Sequence, residues 1–168
     1  FCVCWAHKVD TFIMTKTLIL IPSRMAATRL PGKPLLKIND LSIISHVFKK
    51  AEETNIGDVI VATENEEILS DVIENKGKGI LTRSDHKTGT DRIFEAFKKL
   101  KKENVDYILN LQGDEPNINK DDIIKLNNFM EKNSEIEIGT LACVIKDNKM
   151  LDNRNVVKVI TRNDLSKN

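Results

Sequence analysis

Apolar residues fall into short unbroken runs separated by stretches with helical spacing. Leu18-Ile19-Leu20-Ile21 is uninterrupted and stops at Pro22, the pattern of a strand covered on both faces, where alternation is not required. Val59-Ile60-Val61-Ala62 and Tyr107-Ile108-Leu109-Asn110-Leu111 read the same way, and residues 79–82 form a shorter strand. Between these runs the apolar positions recur every three or four residues. Ser42 can cap a helix whose inward stripe is Ile43, Ile44, Val47, Phe48 and Ala51, with Gly57 ending it. Residues 66–75 and 121–132 have the same period, and residues 91–102 predict an amphipathic helix with Ile93, Phe94 and Phe97 inward. Residues 138–145 and 156–160 predict two further strands.

Strand and helix units in alternation imply an α/β fold of three layers, a mostly parallel sheet with helices on both faces. Such sheets bind ligands beyond the carboxyl ends of their strands. Three irregular segments fall at those ends: residues 22–34, 83–90 and 112–116.

Composition narrows the function classes. The chain has 168 residues, 40% hydrophobic and 30% charged, which suits one soluble domain with a core that needs no disulfide staples. Twenty-six basic against twenty-five acidic residues give a formal net charge of +1, so bulk charge offers no footprint for nucleic acid. Three cysteines, at 2, 4 and 143, match no zinc or disulfide spacing. No apolar run is long enough to cross a membrane, and a cytoplasmic location is expected. Residues 1–13 fail as a signal peptide because His7, Lys8 and Asp10 interrupt the apolar stretch. They read as a non-native or disordered extension, with Met14 as the native start and residues 14–168 as the domain; a structured N-terminal strand is the alternative reading.

The chemistry sits in the three loops. The first places Arg24, Arg29 and Lys33 on a proline and glycine frame, suited either to several phosphate oxygens or to a solvated basic turn. It is no Walker loop, and the dinucleotide fingerprint is missing. In the second, hydroxyls and charges precede a helix whose amides could hold an anion, although Thr90 also reads as an N-cap and His86 as a polar loop residue. The third puts Asp114 after a glycine at a strand tip, either a turn aspartate or a ligand for Mg²⁺ shared with phosphate oxygens.

Assembled, the strings Arg-Leu-Pro-Gly-Lys-Pro-Leu at 29–35, the segment 82–92, Gln-Gly-Asp-Glu-Pro at 112–116 and Asn-Val-Val-Lys-Val at 155–159 resemble the 3-deoxy-manno-octulosonate cytidylyltransferase (CMP-Kdo synthetase) family. The likeness runs in order from about residue 17 to 161. It implies a Rossmann-like nucleotide-diphospho-sugar transferase fold and Mg²⁺-dependent transfer of CMP from CTP to 3-deoxy-manno-octulosonate (Kdo), with release of pyrophosphate, in lipopolysaccharide synthesis. By position, Arg24, Thr28, Arg29 and Lys33 would hold the triphosphate, and Arg83, Gly89 and Thr90 would surround the cytidine. Gln112 would place nucleotide and sugar, and Asp114 would bind the metal; Arg24, Lys33, Gln112 and Asp114 form the implied catalytic set. Two departures stand out. Ala27 replaces the usual serine beside Thr28, and the chain stops at Asn168 where family members continue into Kdo contacts, a homodimer surface and a second metal-binding aspartate. The fold is therefore expected to be incomplete at its C-terminus. Two other readings stay open: a non-catalytic fragment with at most CTP binding, and a nucleotidyltransferase for another acidic sugar.

Overall fold

The computed structural model describes residues 3–6, 16–26 and 30–160. In chain order the elements are β1 (Val3–Ala6), β2 (Thr17–Ser23), a 3-10 turn (Lys33–Leu35), β3 (Lys37–Ile38), β4 (Leu41–Ser42), α1 (Ile43–Glu52), β5 (Gly57–Thr63) and α2 (Glu66–Glu74). There follow β6 (Gly79–Leu81), α3 (Gly89–Leu100), β7 (Tyr107–Asn110), α4 (Lys120–Lys132), β8 (Ile138–Thr140) and α5 (Asn148–Asp152).

The main sheet has the order β6-β5-β2-β7-β1-β8. Its first four strands are parallel, so Ile19 of β2 lies between Val59 and Leu109. A short β3-β4 hairpin turns through Asn39 and Asp40, both at positive φ, as a two-residue primed turn requires.

β2 shows why an unbroken apolar run makes a central strand. Ile19 and Ile21 pack with α1, α2 and α4, whereas Leu18 and Leu20 pack with Ile93 of α3 on the opposite face. All four are at most 1% exposed. The three layers expected from the pattern are present. α1 begins at Ser42, whose Oγ accepts the Ser45 amide, as expected, but it ends at Glu52; Asn55 at φ 52° reverses the chain, and Gly57 opens β5.

Five expectations need correction. Phe94 is 58% exposed, because the inward stripe of α3 is Ile93, Ala96, Phe97 and Leu100, leaving Phe94 on the flank with the Lys98 ammonium 5.0 Å from its ring. Residues 156–160 form no strand, since no neighbour supplies a ladder among the described residues; the strand expected over 138–145 is likewise limited to β8. α5 occupies a stretch where no helix was expected. The segment 1–13, expected outside the domain, contributes β1, which pairs antiparallel with β7 and β8; its residues 1, 2 and 7–13 lie outside the described residues. Strand pairing uses backbone N–H and C=O groups, so a four-residue strand can join a sheet without any alternating signature.

Candidate functional site

A cavity of about 300 Å³ opens where β2 and β7 end, and all three irregular segments line it. Pro22, Ser23 and Arg24 come from the end of β2, Lys33 and Pro34 from the 3-10 turn, His86, Thr88, Gly89 and Arg92 from the start of α3, and Gln112, Gly113 and Asp114 from the end of β7. These segments are far apart in sequence and meet because parallel strands present their carboxyl ends on one edge.

The cationic loop is shaped by Gly32. Its φ of 74° is left-handed, a conformation open to glycine, and its amide bonds back to the Met25 carbonyl at 3.1 Å. The chain then enters the 3-10 turn with Pro34 buried and the Lys33 side chain in the cavity. Asn65 at the start of α2 accepts the Met25 amide at 2.9 Å, anchoring the loop's other limb. Ala27, Thr28 and Arg29 lie outside the described residues, so the contacts expected of Thr28 and Arg29 do too.

Asp114 follows Gly113, where a Cβ would stand 2.9 Å from the Pro22 carbonyl oxygen; glycine lets this turn close onto the end of β2. The Asp114 carboxylate pairs with Lys33 Nζ at 2.8 Å, with the two side chains 57% and 32% exposed. The residue expected on phosphate and the residue expected on metal thus face each other. Gln112 lines the same cavity and donates to Asn110 Oδ1 at 3.4 Å.

α3 is capped by Thr88, not by Thr90. Thr88 Oγ1 accepts the Asp91 amide and the Asp91 carboxylate accepts the Thr88 amide, a reciprocal capping box. The amides of Gly89 and Thr90 have no partner within the helix. Gly89 lines the cavity, but Thr90 lies outside it and borders a small apolar hollow with Ile93 and Ile108. Arg83 does not line the cavity; its guanidinium is paired with Asp85 at 3.1 Å.

Sequence reasoning missed three lining residues and underweighted His86. Arg92 is one helical turn from Gly89, and that spacing was the available signal. It is 2% exposed, pairs with Glu64, donates to Thr82 Oγ1 at 2.5 Å and reaches the Arg83 carbonyl at 3.3 Å. Glu95 accepts the Arg83 amide at 3.1 and 3.3 Å, contacts His86 Nε2 and pairs with Lys99 at 2.7 Å. Its carboxyl is pulled down to about 2, first by Lys99, against the opposing effect of burial and with help from His86 and the Arg83 amide. Thr88 went unnamed among the hydroxyls of the second loop. Ser23 continues the Ile19, Ile21 face beyond the core, and its buried Oγ has no hydrogen-bond partner among the described residues.

The model of a family described as cytidylyltransferase matches residues 18–168. The chain belongs to that family. A 3-deoxy-manno-octulosonate cytidylyltransferase of Nitrobacter winogradskyi is 47% identical over 146 residues, covering 86% of this chain and 57% of the relative. One from Rhodopseudomonas palustris strain BisB18 is 48% identical over 147 residues, covering 87% and 60%. Among solved structures, a CMP:2-keto-3-deoxy-manno-octonic acid synthetase complexed with CTP superposes with a TM-score of 0.69 at 39% identity, covering 73% of this chain and 50% of that one. A nucleotidyl transferase from Methanothermobacter, 13% identical with a TM-score of 0.57, shares the fold. This cytidylyltransferase-family chain thus spans roughly three fifths of the length of the curated relatives it matches. Among its described residues no helix is long and apolar enough to cross a membrane.

Proposed function

We propose that this chain forms the nucleotide half of a CMP-Kdo synthetase site, binding CTP in the β2-β7 cavity for CMP transfer to Kdo with loss of pyrophosphate. One observation carries the reading. Lys33, Gln112, Asp114 and Gly89 at the N-terminus of α3 converge on a single cavity in a chain 47% identical to a 3-deoxy-manno-octulosonate cytidylyltransferase. A cytoplasmic setting accompanies it, since the nucleotide substrate is found there.

In this reading the sugar hydroxyl displaces pyrophosphate in line at the α-phosphorus, a reaction in which positioning and charge neutralisation supply most of the acceleration. Arg24 and Lys33, with Thr28 and Arg29 of the same loop, hold the triphosphate. On the α3 side Gly89 faces the nucleotide, whereas Thr90 and Arg83, which do not line the cavity, would reach the cytidine only after a rearrangement, and Gln112 orients nucleotide against sugar. Asp114 fits a Mg²⁺ of the kind carried by one carboxylate together with phosphate oxygens, because it stands exposed at a strand tip beside the cation that would otherwise meet those phosphates. When bound, the metal would neutralise charge on the phosphates. Lys33 must leave Asp114 for both roles to be filled at once.

A second reading is a chain that binds CTP without turning it over, favoured by the Asp114 carboxylate being engaged by Lys33 at 2.8 Å. Calorimetric titration of CTP, followed by a pyrophosphate-release assay with Kdo and Mg²⁺, separates the two. Binding with release supports transfer by this chain alone, and binding without release supports the second reading. Absence of CTP binding overturns both.

A further inference from the structure

Arg83 itself points away from the cavity, yet both of its peptide groups are held by side chains of α3. Glu95 accepts its amide at 3.1 and 3.3 Å, and Arg92 Nη1 donates to its carbonyl at 3.3 Å. Residues 92 and 95 are three apart and share one helix face, so two opposite charges grip the loop from one rigid element. His86, in the same loop and lining the cavity, is 9% exposed and has Nε2 against Glu95 Oε2. An ionised carboxylate only accepts, so Nε2 must be the protonated nitrogen; in the neutral ring Nδ1 is then left as an acceptor. Lys99 closes the arrangement from the solvent side at 2.7 Å and keeps the carboxylate charged.

We infer that Glu95 is a positioning residue for nucleotide binding: it presets the loop of residues 83–88 and fixes the proton on His86 before a ligand arrives. A wall ordered in advance spares the ligand the entropy of ordering it. The inference rests on the CTP reading above and adds to it a residue that lines no cavity and touches no substrate. Its effect falls on the α3 side of the site. The cationic loop, held by Gly32 and the Lys33–Asp114 pair, does not depend on it.

The test uses the 168-residue chain with Glu95→Ala and, to guard against misfolding, Glu95→Gln, which keeps one acceptor of the same size. Two ligands are titrated below the melting transition: CTP, which needs both walls, and inorganic tripolyphosphate, which needs only the cationic loop. Glu95→Ala should weaken CTP about tenfold and leave tripolyphosphate within about twofold, with Glu95→Gln in between. Nitrogen-15 spectra of the free protein should show a protonated His86 Nε2 and a slowly exchanging Arg83 amide, both lost in Glu95→Ala. Equal weakening of the two ligands, or none for CTP, overturns the role while the CTP reading stands. A wild-type chain that binds tripolyphosphate but not CTP overturns the CTP reading, and this role with it.

Discussion

The wall of the cavity built by α3 and the wall built by the cationic loop differ in how their charges are held. On the α3 side, Arg92 is almost fully enclosed and pairs with Glu64, while Glu95 is 15% exposed with the Arg83 amide, His86 and Lys99 converging on its carboxylate. On the other side, Lys33 and Asp114 meet in the open, 32% and 57% exposed. A buried pair cannot lose one member cheaply, because the remaining charge is stranded away from water. An exposed pair can separate at little cost, because water replaces each partner. The α3 wall is therefore built in advance of the ligand, and the loop wall is built to exchange partners when one arrives.

The most severe way to break this contrast is Arg92→Ala, which leaves Glu64 enclosed and unpaired and should cost about 3–5 kcal/mol of stability in urea denaturation. A loss under 1 kcal/mol, the range of an exposed pair, would place Arg92 in the same class as Lys33. The matching change on the open side, Lys33→Ala, should leave stability within about 1 kcal/mol while weakening CTP roughly ten- to hundredfold through loss of a charge-assisted contact. Calorimetry and melting curves on the same samples check both halves, and unchanged CTP affinity would remove Lys33 from the phosphate site.

pH sharpens the contrast further. The folded pKa of Glu95, about 2, lies below the ordinary value of 4.5, so its stabilising contribution is complete above about pH 4.5 and is lost as pH falls from there toward 2. Glu95→Gln should flatten that acid limb of the stability curve; an unchanged slope between pH 4.5 and 2 would mean the carboxylate is not held as described. The smallest expected effect is at Phe94. On the flank of α3, under the Lys98 ammonium, Phe94→Ala should cost no more than about 1 kcal/mol. A core-like loss of about 3–5 kcal/mol would restore the inward placement that the periodicity suggested.

Much of the layer order was legible from the apolar runs. Ile19, Val59 and Leu109 lie side by side in the parallel sheet, as strands covered on both faces should. Phe94 was misplaced because a helical stripe has finite width, and only packing shows which residue at its edge is inside. β1 stayed the alternative not chosen because four paired residues carry too short a pattern to decide it, whereas their backbone ladders with β7 and β8 are visible at once in three dimensions. Residues 156–160 carry the reverse error, an apolar pattern with no neighbour among the described residues to complete it.

At the site, the loop chemistry identified Lys33 and Asp114, the family resemblance added Gln112, and the cavity brings those three together. Sequence reasoning did not identify the grip of Arg92 and Glu95 on residue 83, nor the Ser23 hydroxyl that has no partner among the described residues, because those facts depend on which groups end up enclosed. The sequence by itself determined the alternation of strands and helices, the loops at the carboxyl edge and the chemical groups those loops carry, all of which follow from short-range order. Only the tertiary structure decided that Lys33 faces Asp114, that Thr88 caps α3 and that Arg83 turns outward. Those outcomes depend on distance and burial between residues remote in the chain, and the strength of a charge interaction is set by the water around it, which the order of residues alone does not specify.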